Sequence, residues 1–260
     1  MSLAFSEARR DAQRIAVVVP AYNEGKLIAR TLAAVPAFVE RVVVVDDASS
    51  DDTAACVLNC GDPRVLLVRH EHNRGVGAAL STGYRRAFEL GAEVCVVMAG
   101  DGQMDPADLP SLLSPLQRGE AAYVKGNRMS YPGVHRDMPL TRLIGNYALS
   151  LFTRMATGLP VRDSQCGYTA LSRLAAEQLP LDALWPRYGY PNDLLGMLAE
   201  RGLSVREVVV RPVYADEQSG LRLWHALFVV PFVLLRVLWR RLFYAAQAPE
   251  LGEPETTLER

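Results

Sequence analysis

Four short runs dominated by valine and isoleucine punctuate the first part of the chain, at 15–19, 42–45, 65–68 and 94–98. Each is apolar throughout rather than alternating, the pattern of a strand covered on both faces, and each is followed by helical spacing or a helix cap. After Gly25 the apolar positions are Leu27, Ile28, Leu32 and Val35, the next stretch opens with Ser49 as a cap toward Asp52, and 75–90 is the longest. Asp105, Pro106 and Asp108 supply an N-cap, a proline at the first helical position and an acid at the third, so a helix leaves the fourth strand close to its end. This alternation predicts an α/β fold with a mostly parallel central sheet and helices on both faces.

Beyond residue 120 the pattern is less regular. It predicts a strand at 121–125, a polar loop over 127–139, an apolar helix at 140–157, an apolar stretch at 167–171, a helix at 192–201 and a strand at 204–210. From 221 to 246 leucine, phenylalanine, valine and tryptophan alternate with arginines. The apolar run at 223–235 contains His225 and Pro231 and is shorter than the roughly 20 residues a bilayer-spanning helix needs. An amphipathic helix lying on a membrane is expected here, anchored by Trp224 and Trp239, with Arg236, Arg240 and Arg241 toward anionic headgroups. The competing expectation is a helix packed on the sheet or on another subunit. The resulting organisation is an N-terminal tail (1–13), one α/β domain (14–218), the helical segment (219–246) and a Pro/Glu-containing disordered tail (247–260).

Composition narrows the functions. The 260 residues are 50% hydrophobic with a formal net charge of -1, enough for one large core but without the global field that steers a protein to nucleic acid. The four cysteines form no C-x-x-C pair, and residues 1–13 hold no apolar stretch, so a reducing, cytoplasmic setting without a signal peptide is expected. His70, His72, His135 and His225 have no metal-ligand spacing to a partner. Nothing in the composition opposes a homo-oligomer.

Ligands of open α/β sheets bind outside the carboxyl ends of the strands. There this chain places Pro20-Ala21-Tyr22-Asn23-Glu24, then Asp46-Asp47 with Ser49 and Thr53, then Asn73-Arg74-Gly75-Val76-Gly77, then Asp101-Gly102-Gln103. Carboxylates at a nucleotide site repel bare phosphates, but they hold a hard divalent cation that in turn holds a diphosphate. Together with Gly126-Asn127-Arg128 and Gln165-Cys166-Gly167-Tyr168, these motifs make the chain resemble the family-2 glycosyltransferases, in particular their polyprenyl-phosphate, dolichol-phosphate-mannose-synthase-like branch, from about Ile15 to Gly220.

The resemblance implies a GT-A fold that takes a nucleotide diphosphate sugar. By the same likeness, Tyr22, Glu24 and Asp47 hold base and ribose, Pro20, Ala21, Asn73, Gly77 and Gly100 complete the nucleotide-sugar site, and Asp101 and Gln103 bind Mg2+ or Mn2+. One departure stands out: the family's D-x-D has its first acid where this chain has Ala99. Arg128 and Arg142 match the positions at which that branch grips its acceptor phosphate, and guanidinium suits bidentate phosphate binding. The implied reaction is an inverting transfer of a sugar, mannose or glucose, to a polyprenyl phosphate at the cytoplasmic face of a membrane. Two alternatives stay open: transfer to a sugar hydroxyl with Asp193 as base, and a non-catalytic nucleotide-sugar-binding protein. Asp193 is also read as a first-turn carboxylate that favours its helix dipole.

Overall fold

The computed structural model describes residues 13–213 and 228–247. The four valine-rich runs become β1 (Ile15–Ala21), β2 (Arg41–Asp46), β3 (Val65–Arg69) and β4 (Val94–Val97). They are followed in turn by α1 (Ile28–Ala33), α2 (Thr53–Leu58), α3 (Val76–Glu89) and, after a 3-10 turn at Pro106–Asp108, α4 (Leu109–Gln117). Asp105 caps that turn by accepting the Ala107 amide at 2.9 Å, as its spacing predicts. Ser49 does not cap α2. Its hydroxyl instead accepts the Asn23 amide at 2.9 Å, across to the neighbouring strand-end loop.

The remaining elements are β5 (Tyr123–Asn127), α5 (Val134–Asp137), α6 (Leu140–Thr157), β6 (Thr169–Ser172), α7 (Arg173–Ala176), α8 (Tyr190–Glu200), β7 (Val205–Val209) and α9 (Val230–Gln247). Seven strands form one sheet in the order β3-β2-β1-β4-β6-β5-β7. β1 runs parallel to both β2 and β4, with Val17 opposite Val42 and Val96. The insertion of β6, antiparallel to β4 and β5, makes the sheet mostly rather than wholly parallel.

Because successive strand residues face opposite sides, the valine runs serve two cores at once. Val17, Val19, Val42, Val44 and Val96 pack with Ile28, Leu32, Leu109 and Leu112 on one side. Ala16, Val18, Val43 and Val45 pack with Leu80, Tyr84, Leu194 and Leu198 on the other. Each wholly buried Val or Leu contributes about 1.5–3 kcal/mol, which is why β1 and β4 are apolar throughout. A third, smaller cluster joins Leu149 and Ala156 of α6 to Val230, Leu234 and Val237 of α9. It fastens the C-terminal helix to the sheet domain by one apolar stripe. Of the tails expected at 1–13 and 247–260, all but residues 13 and 247 lie outside the described residues, as does the first part of the 219–246 segment; Gln247 is the last residue of α9.

Candidate active site

The loops leaving the carboxyl ends of β1 and β2 are stitched together by short polar side chains. Asn23 accepts the Ser50 amide at 2.8 Å, Thr53 accepts the Glu24 amide at 2.8 Å, and Asp51 accepts the Gly25 amide at 3.0 Å. Among the described residues, Asn23 and Ala48 are the non-glycine residues held at positive φ, 57° and 62°. Asparagine tolerates left-handed backbone but alanine does not, so strain collects at Ala48, after β2. Pro20 and Ala21 are the last residues of β1, opposite Val45 and Asp46, while Tyr22 stands 49% exposed beyond them.

The acidic pair after β2 turns inward. Asp46 accepts the Ser49 amide at 2.9 Å and pairs with Arg69 at 3.0 Å. Asp47 accepts the amides of Arg74 and Gly75 at 2.9 and 2.7 Å and lies 2.6 Å from His70 Nδ1. Three of the roughly four acceptor positions of that carboxylate are thus filled by the protein. The Asp47 carboxylate anchors the loop before α3, and His70, which has no metal-ligand spacing in the sequence, belongs to this anchor through its second contact, Thr82 at 3.0 Å.

Asn73 and Gly77 lie under another segment of the same chain. Arg187 reaches Asn73 Oδ1 at 3.3 Å, and a Cβ added at Gly77 would stand 2.0 Å from the Trp185 carbonyl oxygen. Gly77 is therefore required by the approach of residues 185–187.

Beyond β4, Asp101 accepts the Gln103 amide at 3.0 Å in a tight turn through Gly102, whose φ is +72°. The loop is held to α1 by Thr31, which donates to the Gly100 carbonyl at 3.1 Å. Space for a side chain at Gly100 would be met by Glu24 Cγ at 3.4 Å, so Glu24 of the β1 loop lies over the start of the Asp101 turn. Tyr188 completes this corner. Burial first, then the carboxylates of Glu24 and Asp101, push its phenol up from the ordinary value of 10.0. Next to the turn opens a cleft of about 800 Å³, lined among others by Arg30, Gly102, Asp105, Tyr131 and Arg211.

Just after the carboxyl end of β5, Arg128 forks onto Asp163, with Nε 2.8 Å and Nη2 3.0 Å from its two oxygens. Asp163 is wholly buried, which alone would raise its carboxyl; the Arg128 guanidinium, with help from Lys125, outweighs this and holds it below the ordinary 3.8. Lys125 is itself wholly buried, and burial pushes its ammonium down. Glu207 accepts the amides of Arg162 and Asp163 at 2.8 and 2.9 Å. Arg142 sits half-buried in the first turn of α6. Asp193 is wholly buried, accepts the Trp185 amide at 2.8 Å, and pairs with Arg240 at 3.0 Å and Arg236 at 3.6 Å.

Residues 16–179 match the model of the family described as glycosyl transferase family 2. The chain belongs to that family. Curated relatives agree. The UDP-N-acetylglucosamine--dolichyl-phosphate N-acetylglucosaminyltransferase of Methanococcus voltae is 31% identical over 78% of this chain and 86% of its own length. The polyprenol monophosphomannose synthase of Mycolicibacterium smegmatis is 31% identical over 85% of this chain and 87% of its own. The undecaprenyl-phosphate mannosyltransferase of Micrococcus luteus is 32% identical over 80% and 86%. Among solved structures, glucosyl-3-phosphoglycerate synthase from Mycobacterium tuberculosis, in complex with Mn2+, UDP and glucosyl-3-phosphoglycerate, superposes with a TM-score of 0.69 at 24% identity. The match covers 92% of this chain and 85% of that one, and shows the same GT-A-type fold.

For a family-2 glycosyltransferase the oxygen-rich corner at Asp101 suits a hard divalent cation, with a qualification from its own geometry. Among the described residues, no group of three or more His, Cys, Asp or Glu side chains could hold a metal ion. With Ala99 in place of an acid, Asp101 and Gln103 fit an ion whose shell is completed by diphosphate and water, as Mg2+ sites often are.

Packing bears on both acceptor-side expectations. The Nε and Nη2 edge of Arg128 is engaged by Asp163. Its cluster of Lys125, Arg128, Asp163 and Glu207 also pairs two cations with two carboxylates. Asp193 has no exposed surface, and both of its oxygens face guanidinium groups rather than an open cleft. Sequence reasoning missed Tyr188, Asp163, Arg30 and Arg211. Arg211 was marked only by its place after the last strand, and the others by nothing local.

Proposed function

We propose that this glycosyltransferase moves a sugar, mannose or glucose by our reading, from a nucleotide diphosphate to a polyprenyl phosphate, with inversion, at the cytoplasmic surface of a membrane. The observation that carries the donor side is the convergence of Glu24 and Asp101 at the carboxyl ends of adjacent parallel strands, where open α/β sheets take their ligands. The acceptor side rests on the lipid phosphates named for three relatives. Asp101 and Gln103 would hold a Mg2+ or Mn2+ ion, which would supply charge neutralisation toward the leaving diphosphate.

The rest is the work of side chains. Glu24 and Tyr22 face the donor, with Tyr22 exposed at the rim where a base stacks. A phosphate oxygen of the acceptor is already ionised near neutral pH; it attacks the anomeric carbon as the bond to the nucleotide diphosphate breaks, and no proton has to be removed. A transfer without a base is consistent with a chain whose Asp193 is turned into its own interior. Arg142 holds the acceptor phosphate, and the scheme needs positioning and electrostatics rather than acid-base chemistry.

Membrane contact draws support from α6 and α9. Leu140, Ile144, Tyr147, Leu151 and Met155 recur at helical spacing on the outside of α6, and Phe228, Phe232, Leu235, Trp239 and Leu242 precede or recur along α9, each more than half exposed. Two adjacent exposed apolar rows suit insertion into the headgroup boundary. No helix among the described residues is long and apolar enough to cross a membrane. Arg236 and Arg240 turn to Asp193 and Glu200, while the exposed Arg241 also reaches the Ala156 carbonyl, so the contact we propose is mainly apolar.

A screen of UDP- and GDP-sugars with a polyprenyl phosphate and Mn2+ tests the reading, with a glycosyl phosphodiester as the expected product. Asp101→Ala should lower turnover about 100-fold or more without altering the fold, and unchanged turnover at limiting Mn2+ would remove Asp101 from the metal. Arg142→Ala should cost about 1.5–3 kcal/mol in kcat/KM for the lipid acceptor, with lysine restoring only part. Nucleotide-sugar binding without any turnover would return the non-catalytic alternative.

A further inference from the structure

The segment between the 3-10 turn at Leu181–Ala183 and α8 touches two parts of the molecule that the reaction scheme treats separately. On one side it lies against the donor-site loops. The Pro186 carbonyl accepts the Ala78 amide at 3.1 Å, the Trp185 carbonyl occupies the space above Gly77, and Arg187 holds Asn73. Tyr188 stands near Glu24 and Asp101.

On the other side the same residues are tied to α9. Arg236 donates to the Ala183 carbonyl at 3.3 Å and places its guanidinium 5.8 Å from the Trp185 ring, while Phe232 lies 5.8 Å from that ring centroid to centroid. Asp193 accepts the Trp185 amide and faces both Arg236 and Arg240, and Trp185 Nε1 donates to the Tyr188 carbonyl at 2.9 Å. Val233 would meet a side chain at Gly189 at 3.1 Å, and Val237 would meet one at Gly196 at 2.7 Å, so α9 seats directly on the base of this segment. A buried carboxylate left without its guanidinium partners is strongly unfavourable. The conformation of residues 183–189 is therefore conditional on α9 being docked.

We propose that residues 183–189 form a strap that α9 holds across the donor site, and that Arg236 and Arg240, acting through Asp193 and Trp185, are positioning residues for nucleotide binding. The proposal rests on the donor reading above. Since coupling between two sites is reciprocal, nucleotide binding must also tighten the docking of α9.

Calorimetric titration with UDP or GDP in the presence of Mn2+ tests the strap on the full chain. Arg236→Met keeps the apolar stem and removes the links to Ala183 and Asp193; Trp185→Phe keeps a ring and removes the hydrogen bond to Tyr188. Each should weaken nucleotide affinity about 5- to 20-fold, and Arg236→Lys should recover part of the loss by restoring the charge beside Asp193. A merely structural role would lower the unfolding midpoint yet leave affinity unchanged in protein that is still folded, and that result overturns the proposal. Hydrogen exchange on the unaltered protein gives a second reading that does not depend on how the variants fold: saturating nucleotide should raise protection along Val230–Gln247, and unchanged protection overturns the strap. If the unaltered protein binds neither nucleotide, the donor reading fails and the strap fails with it.

Discussion

Asp163 and Asp193 are both wholly buried carboxylates matched to arginine, yet they belong to different kinds of structure. Asp163 is held by Arg128 at the end of β5, with Lys125 on the same strand and Glu207 on β7 next to it. Every partner hangs on the sheet or on the loop beside it. Asp193 meets Arg236 and Arg240, which come from a helix attached mainly through Val230, Val233, Leu234 and Val237. The first network opens only if the sheet opens, whereas the second opens if one helix lifts. The same ion-pair chemistry therefore serves global stability in one place and a conditional, local arrangement in the other.

The most disruptive way to break this comparison is Asp163→Ala, which strands Arg128 and Lys125. A loss of about 3–5 kcal/mol is expected from urea denaturation, the usual consequence of removing one partner from a buried pair. Protection from hydrogen exchange should fall across the whole sheet. A loss below about 1 kcal/mol would mean that water reaches the cluster and that it is not closed in the sense argued here.

Asp193→Ala should cost less, about 1–3 kcal/mol, because Arg236 and Arg240 keep 32% and 22% side-chain exposure and can hydrate when α9 lifts. Its signature is regional. Faster exchange and proteolysis are expected in 183–189 and α9 while β1, β2 and β4 stay protected; uniform loss over the sheet would erase the distinction between the two networks.

The smallest effect is in pH. Asp163 titrates below its ordinary 3.8 in the folded protein, so its contribution to stability is fully present above that value and is lost as pH falls through the lower, folded one. Glu207 and Glu200 are displaced the other way, chiefly by burial. What they contribute is present below the ordinary 4.5 and is lost as pH rises through their higher folded values. Replacing Asp163 by Asn should flatten the acid limb of the stability profile, by at most about 1.4 kcal/mol per pH unit, and an unchanged slope below pH 4 would assign acid sensitivity elsewhere.

Much of the sheet was legible in the chain. The four apolar runs lie within a residue or two of β1 to β4, and the helix expected at 140–157 has those limits. The sequence motifs also placed Glu24 and Asp101 at strand ends, where the structure brings them side by side. What stayed hidden were the partners. Asp47 and Gly77, both expected at the nucleotide-sugar site, turn out to have partners within the chain: Asp47 binds the loop before α3, and the Trp185 carbonyl fills the space above Gly77. The arginines at 236 and 240 looked basic and outward because a helix of that composition has an exposed polar face by default.

By itself the sequence determined the elements, their alternation and the family, because hydrophobic period, caps and strand-end motifs are written in residues only a few positions apart. Tertiary structure alone decided that β6 enters antiparallel between β4 and β5, that Arg128 is taken by Asp163, and that Asp193 is enclosed by α9 rather than open to an acceptor. Those outcomes depend on which charges are carried out of water together. Burial makes an unpaired charge prohibitive, and only the packed fold specifies which groups are buried side by side.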